Sequence, residues 1–258
     1  MTSMKQFLIR FTFLTGILLL LVSCVAKEKV LYLQQTASVN SLTSYEPVLQ
    51  PDDVVMITVS SENPEVAAPY NLNVISLQGA TENAVGTQRI QTYILDKAGK
   101  IDFPILGSVV LGGLTKTEAV ATLKGLLKDH VSDAVVNLRI LNFKVTVLGE
   151  VQKPGTYTVS SERITLLEAI GMSGDMTIYG NRKNVLLIRE KNGTKTTERI
   201  DLTKSDFLNS SSYYLSQNDV VYVEPNKTRI NSSVVGPNLT VGISALSLIV
   251  TIIALTAK

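Results

Sequence analysis

Apolar residues fall into three regimes along this chain. Phe11 to Val22 and Leu239 to Ala257 are almost unbroken apolar runs, and the chain between them alternates at strand and helix periods. In the middle section the β-branched segment VVMITVS, from Val54, predicts a strand. The chain to about Gln88 is rich in Asn, Pro, Gly and Ala and reads as an excursion or loop. TYILD (Thr92 to Asp96) and IDFPI (Ile101 to Ile105) then flank Lys97, Ala98, Gly99 and Lys100, which predicts a hairpin with Gly99 at the positive φ of its turn. Pro104 confines its strand to a short or edge position.

Thr115 and Glu118 stand in capping-box relation, and Ala119, Val120, Leu123, Leu126 and Leu127 follow at helical spacing. The strand AVVNLRI (Ala134 to Ile140) completes a ββαβ unit. A second unit opens with KVTVLGEV, the turn QKPGTY and the return strand TYTVS. Thr165 and Glu168 repeat the capping box before Leu166, Leu167, Ala169 and Ile170, a short helix that Gly174 terminates. NVLLIRE, the Asn192-Gly193 turn and KTTERIDL form a hairpin, and DVVYVE closes the unit as a strand halted by Pro225. Strand, strand, helix and three more strands suit a small α+β grasp-like module.

The two apolar ends differ in kind. Lys5 and Arg10 precede Phe11 to Val22, and Leu21, Val22, Ser23 and Cys24 follow in the order of a cleavable secretory signal. That ending resembles a bacterial lipobox, with cleavage before Cys24 and acylation of its thiol and new amine. The alternative is an uncleaved anchor that happens to contain a cysteine. Cys24 is the single cysteine, so no intramolecular disulfide or thiolate metal cluster is possible. The 19 residues Leu239 to Ala257 reach roughly 28 Å as a helix, close to the hydrocarbon thickness of a bilayer. At 100° per residue, Thr240, Ser244, Ser247 and Thr251 fall within an arc of about 60°. A ring of such helices would turn these hydroxyls to a lumen and aliphatic groups to lipid; equally, Ser and Thr serve membrane helices by bonding to the preceding turn or packing between helices.

Charge removes other classes. The chain has 24 basic and 22 acidic residues, and the signal contributes the whole excess. No basic stripe marks a nucleic-acid surface. His130 is the one histidine, beside Asp129 at the end of a helix, and reads as solvated. Asp52 and Asp53 are adjacent, an arrangement suited to a turn and not to a catalytic pair. No HExxH, Walker A, GxGxxG or GxSxG motif occurs, so neither an active site nor a metal or other cofactor is expected.

In order, these residues resemble the outer-membrane polysaccharide export lipoproteins of the Wza type, an export domain followed by SLBB (soluble-ligand-binding β-grasp) modules. YEPVLQPDDVVMITV is similar to that family's opening through Pro51 and Asp53, with Asp52 in place of a glycine. DKAGKIDFPILGSVVLGGLTKTEA resembles its hairpin and helix start through Gly99, Ile101, Pro104, Gly107, Gly113, Leu114, Thr115, Glu118 and Ala119. VTVLGEVQKPGTY resembles the start of an SLBB module through Gly149, Glu150, Val151, Pro154, Gly155 and Tyr157. GMSGD departs from the usual Ala-Gly-Gly, and only one SLBB module is present.

The resemblance implies an α+β protein with a signal peptide over 1–23, a tether over 24–44, an export domain over 45–142, an SLBB module over 143–225, a linker over 226–238 and a transmembrane helix over 239–257. It further implies a homo-oligomeric ring at the cell outer membrane, with its body in the periplasm. The terminal helices would form an α-barrel for capsular polysaccharide or exopolysaccharide. The partners implied are outer-membrane lipid and an inner-membrane polysaccharide co-polymerase (chain-length regulator) coupled to a tyrosine kinase. Val25 after Cys24 is compatible with outer-membrane sorting. The glycines and prolines of the motifs are expected to shape turns. Tyr32, Tyr45, Tyr93 and Tyr157 could stack on sugar or pack within their own domains. The competing reading is a lipid-anchored saccharide- or protein-binding adaptor without a pore.

Overall fold

The computed structural model describes residues 30–34, 45–78, 85–191, 193–234 and 237–256. The signal segment and Cys24 lie outside them, as does Asn192.

The first module is built around β1 (Val54–Ser60), whose Val55, Ile57 and Val59 turn inward while the residues between them do not. Its period of two places one face on a core. Short α1 (Pro64–Ala67) follows, then β2 (Asn73–Gln78) and β3 (Val85–Ile90), which pair antiparallel. The stretch read as an excursion therefore contains a helical turn and a hairpin. β4 (Thr92–Ile94) pairs with β1, and β7 (Val135–Ile140) pairs with the other edge of β1, giving the sheet order β4-β1-β7.

The expected hairpin is corrected in its partners. The chain does reverse at Asp96 to Lys100, where Gly99 has φ +71° and Asp96 N donates to Lys100 O at 2.9 Å. Beyond that turn, however, β5 (Lys100–Phe103) pairs with β6 (Gly107–Val110), while β4 belongs to β1. The local turn was legible and the long-range pairing was not. α2 (Lys116–Leu127) carries the full capping box and buries Ala119, Leu123 and Leu127. Leu126, expected on the same face, is exposed, so the packed stripe is the i, i+4, i+8 row.

The second module is a five-stranded sheet in the order β12-β11-β14-β8-β9. Its strands are β8 (Lys144–Gly149), β9 (Gly155–Thr158), β11 (Gly180–Lys191), β12 (Thr194–Ile200) and β14 (Val220–Pro225). β14 and β8 run parallel, and every other pairing is antiparallel. A two-residue pair, β10 (Ile164–Thr165) and β13 (Tyr214–Leu215), stands apart from the sheet. α3 (Leu166–Met172) carries the second capping box and buries Leu166, Ala169 and Ile170 beside Val147, Val221 and Val223. Gly174, at φ +78°, follows its C-cap.

Two further expectations are revised. Within the tether, residues 31–34 dock on the second module, where Leu33 N and Gln34 N donate to Leu202 O (3.1 Å) and Thr203 O (2.8 Å). Within the linker, α4 (Lys227–Val234) is helical, and α5 (Pro237–Thr256) starts ahead of the expected span.

The modules keep separate cores, and Ile140 packs against both. Polar side chains join them. Asn142 accepts from Val54 N at 2.9 Å and donates to Asp52 O at 2.9 Å. From the second module, Gln217 accepts from Lys144 N at 2.8 Å and donates to Asn142 O at 2.8 Å. Lys116 and Glu162 form an ion pair across the junction.

Candidate functional site

Most motif residues shape backbone. Gln50, Pro51, Asp52 and Asp53 close a turn in which Asp53 N donates to Gln50 O at 3.1 Å. Proline fixes φ near −65° at the second position, and Asp52 follows at φ +68°, the type II combination that favours glycine. This accounts for the glycine that the resemblance places there. Gly107 and Gly113 occupy turns at φ +70° and +84°, and Pro104 lies between β5 and β6. At Gly99 a Cβ would stand 2.7 Å from the Gly112 Cα, so the two glycines let the chain cross itself. Thr115 and Glu118 satisfy the first turn of α2 reciprocally.

The motif around Gly149 has an additional task. Gly149 sits at φ +89°, and a Cβ there would lie 2.1 Å from Val223 O. That close approach sends the chain sharply off the end of β8 and aims Glu150 at the loop before β11. Glu150 accepts from Thr177 Oγ1 at 2.7 Å, and its other oxygen is 3.7 Å from Arg229 Nε in α4. The carboxylate thus ties the β8 end to the segment leading out of the module. Pro154 and Gly155 bring the chain back into β9, and the Tyr157 hydroxyl donates to Lys153 O.

The terminal helix is clear of the body. Every described side chain of α5, at 241–245, 247–249 and 251–252, is exposed. Ser247 and Thr251 donate to the carbonyls of Ser244 (2.9 Å) and Ser247 (2.8 Å). Their protons are therefore spent inside the helix, and their oxygen lone pairs remain available as acceptors. The Thr240 side chain lies outside the described set. Among the described residues no helix is long and apolar enough to cross a membrane, so the expected transmembrane helix over 239–257 and its α-barrel find no support there.

At the junction, Asp53 is 1 % exposed. One carboxylate oxygen accepts from Gln50 N at 2.8 Å, and the other has no partner among the described residues. Burial pushes its carboxyl up to about 6. A separate cleft of about 390 Å³ is lined from both modules by Tyr45, Glu46, Thr117, Ser161, Glu162 and Arg163. Glu46 is already engaged by the Thr117 hydroxyl at 2.9 Å. Among the described residues no group of three or more His, Cys, Asp or Glu side chains could hold a metal ion. His130 is exposed beyond α2.

The tyrosines pack inward. Tyr93 is in the first core; Tyr45 stacks on Tyr214 at 4.8 Å and donates to Leu215 O at 3.0 Å. Tyr32 lies over the Arg182 guanidinium at 5.0 Å and donates to Asp175. Arg182 is 4 % exposed; its Nη1 donates to the carbonyls of Thr177 and Gly180 and its Nη2 to that of Met176, while Nε has no partner among the described residues. Sequence reasoning missed Arg182, Asn142 and Gln217. Asn142 and Gln217 act on backbone groups distant in sequence, and Arg182 folds back on carbonyls within six residues; neither arrangement has a local pattern that announces it.

Two β-rich modules joined by a polar junction and followed by a charge-free helix are the class this arrangement defines. Residues 41–141 match the polysaccharide biosynthesis/export protein family and residues 143–223 the SLBB domain. The chain is 25 % identical over 193 residues to the EPS I polysaccharide export outer membrane protein EpsA of Ralstonia solanacearum, and equally to that of Ralstonia nicotianae. Each alignment takes in 72 % of this chain and 50 % of the relative, so the chain spans about half the length of these curated relatives. The two matches, in this order, support the resemblance to the Wza-type polysaccharide export proteins.

Proposed function

We propose that this protein is an outer-membrane subunit for the export of capsular polysaccharide or exopolysaccharide. It is held by acylated Cys24, and its terminal helices gather into a ring. The observation that carries the reading is the matched pair of modules followed by α5, 20 residues without a charge. The reading takes the charge-free run from Leu239 to Ala257, roughly 28 Å as a helix, as the part that enters the bilayer. Alone it conducts nothing. In a ring, the arc of Thr240, Ser244, Ser247 and Thr251 lines a lumen, and Ile249 on the opposite side meets lipid or neighbouring helices. The chain passes polymer without altering it, and in the periplasm it meets an inner-membrane co-polymerase with its tyrosine kinase.

A second reading has its own support, since the hydroxyls of Ser247 and Thr251 are bonded within the helix. On that reading α5 is only an anchor and the body is an adaptor. Truncation after Pro237 separates the two. For the export subunit, the full chain is a large detergent-stable homo-oligomer, and the truncated chain loses both assembly and export. A monomer whose export survives truncation would overturn the ring.

A further inference from the structure

The sheet of the second module ends in two strands that pair on one side only, β12 and β9. Bonds inside the sheet fix where their remaining backbone groups point. Thr146 N donates to Asp219 O at 2.9 Å and Glu150 N to Val223 O at 2.9 Å, so the even-numbered residues of β8 address β14 and the odd-numbered ones address β9. Alternation then turns Gly155 and Tyr157 toward β8 and leaves the backbone groups of Thr156 and Thr158 pointing out of the sheet. Carried the other way, through β14 and β11, it leaves those of Lys195, Thr197 and Arg199 pointing out. Among the described residues no turn, cap or loop bond reaches these outward groups.

The two edges match each other in direction and in face. The pairs β12–β11, β11–β14 and β8–β9 are antiparallel and β14–β8 is parallel, so three reversals separate β12 from β9 and the edges run oppositely. A second copy, set beside the first by rotation about an axis along the strands, therefore brings its β9 antiparallel to this β12. The outward-bonding residues of both edges also carry their side chains on one face, the face away from the core residues Val145, Val147 and Val221. Opposed residues of an antiparallel ladder share a face, so the two edges join without either module being turned over.

Side-chain chemistry permits the contact. β9 carries no charge, and Thr194 to Arg199 are exposed with neither a proline nor a bulge to guard them. Arg199 is neutralised by Glu224 at 2.7 Å, and Lys195 stands at the hairpin end, 3.8 Å from Glu190. Thr197 is left at the middle of the edge. The two registers that pair both outward residues of β9 within β12 place it opposite Thr156 or Thr158. Hydroxyl pairs of that kind already occur inside the sheet, where the Thr146 and Thr156 hydroxyls bond at 3.0 Å.

We propose that copies of this chain join edge to edge, β12 of one to β9 of the next, so that the second modules form one continuous sheet. The joint rests on the homo-oligomeric ring proposed above and names the strands that make it. A second copy is the occupant because it supplies to each edge a counterpart of the right direction and face. The test uses the full acylated chain in detergent, carrying Thr197→Cys together with Thr156→Cys or Thr158→Cys. Opposed residues of a bonded pair have Cα atoms about 5.5 Å apart, within disulfide range. Expected on mild oxidation is a reducible series of dimer, trimer and higher species from one of the double variants, and none from the single variants or the wild type. Dimer alone from a single variant, with the wild type unreactive, means that like edges meet and overturns the joint. A large native oligomer without a cross-linked series overturns the joint and leaves the ring standing, whereas a monomeric wild type overturns the ring itself and the joint with it. Thr197→Pro gives a comparison without cysteines, since the N–H it removes points outward and serves no bond within the module. That variant should lose assembly with its circular dichroism unchanged, and an intact oligomer overturns the joint. In the wild-type assembly the Thr156 and Thr158 amides should exchange at least about tenfold more slowly than in the proline variant, and equally fast exchange again overturns it.

Discussion

Asp53 has an ordinary acidity near 3.8 when unfolded and is pushed to about 6 by burial in the folded protein. The folded state therefore holds the proton more tightly. Its contribution to stability is complete below about pH 4 and is lost as pH rises through 6, amounting to at most about 3 kcal/mol. Asp53→Asn keeps an acceptor for Gln50 N and removes the buried charge. Denaturant unfolding from pH 4 to 8 should show wild type losing stability through this window and the variant losing distinctly less. Parallel curves would mean that Asp53 is not protonated in the folded protein. Its neighbour Asp52 shows how a residue can be read correctly and explained only later. The departure from glycine was visible in the sequence, but its cost became clear only when φ at that position proved positive.

Among the elements, those fixed by local rules were legible and those fixed by distant partners were not. Both capping boxes and both helices they start follow from residues three apart, a spacing that fixes the hydrogen bonds directly. The hairpin through Gly99 was assigned the wrong partner because TYILD and IDFPI have the same alternation as the strands they do pair with. Docking of residues 31–34 left no pattern, since two backbone bonds and one tyrosine produce no periodicity. Gly149 lies between these cases. Its motif was legible, and the reason for it, the Val223 carbonyl of a parallel neighbour, was not. Gly149→Ala places a Cβ where that carbonyl stands and demands a left-handed conformation, so a loss of at least about 2 kcal/mol is expected. The second module should unfold earlier in denaturant, with increased exchange along β8 and β14. A loss within about 0.5 kcal/mol, the usual range for an innocuous surface change, would show that the strand ends part freely.

For the whole molecule the question is whether two cores behave as one. Ile140 packs against both and Tyr45 stacks on Tyr214 across the junction; the other contacts between them are polar. Gln217 is 8 % exposed and satisfies Lys144 N and Asn142 O together. Asn142 in turn satisfies Val54 N and holds the Asp52 turn. Gln217→Ala removes both partners at a site that water reaches poorly, at a cost of about 1–3 kcal/mol per orphaned group. The cost at Asn142 O falls on the contact between modules and that at Lys144 N on the start of β8, while neither hydrophobic core loses an atom. Calorimetry of the full chain in detergent should therefore show one unfolding transition for the wild type and two for Gln217→Ala, with the export domain and SLBB module melting apart. Tyr45 and Lys116 also cross the junction, but Lys116 and Glu162 are solvent-exposed enough for their pair to contribute little. If the variant still melts in one transition, the Tyr45–Tyr214 stack must couple the modules instead, and Tyr45→Ala should then separate them.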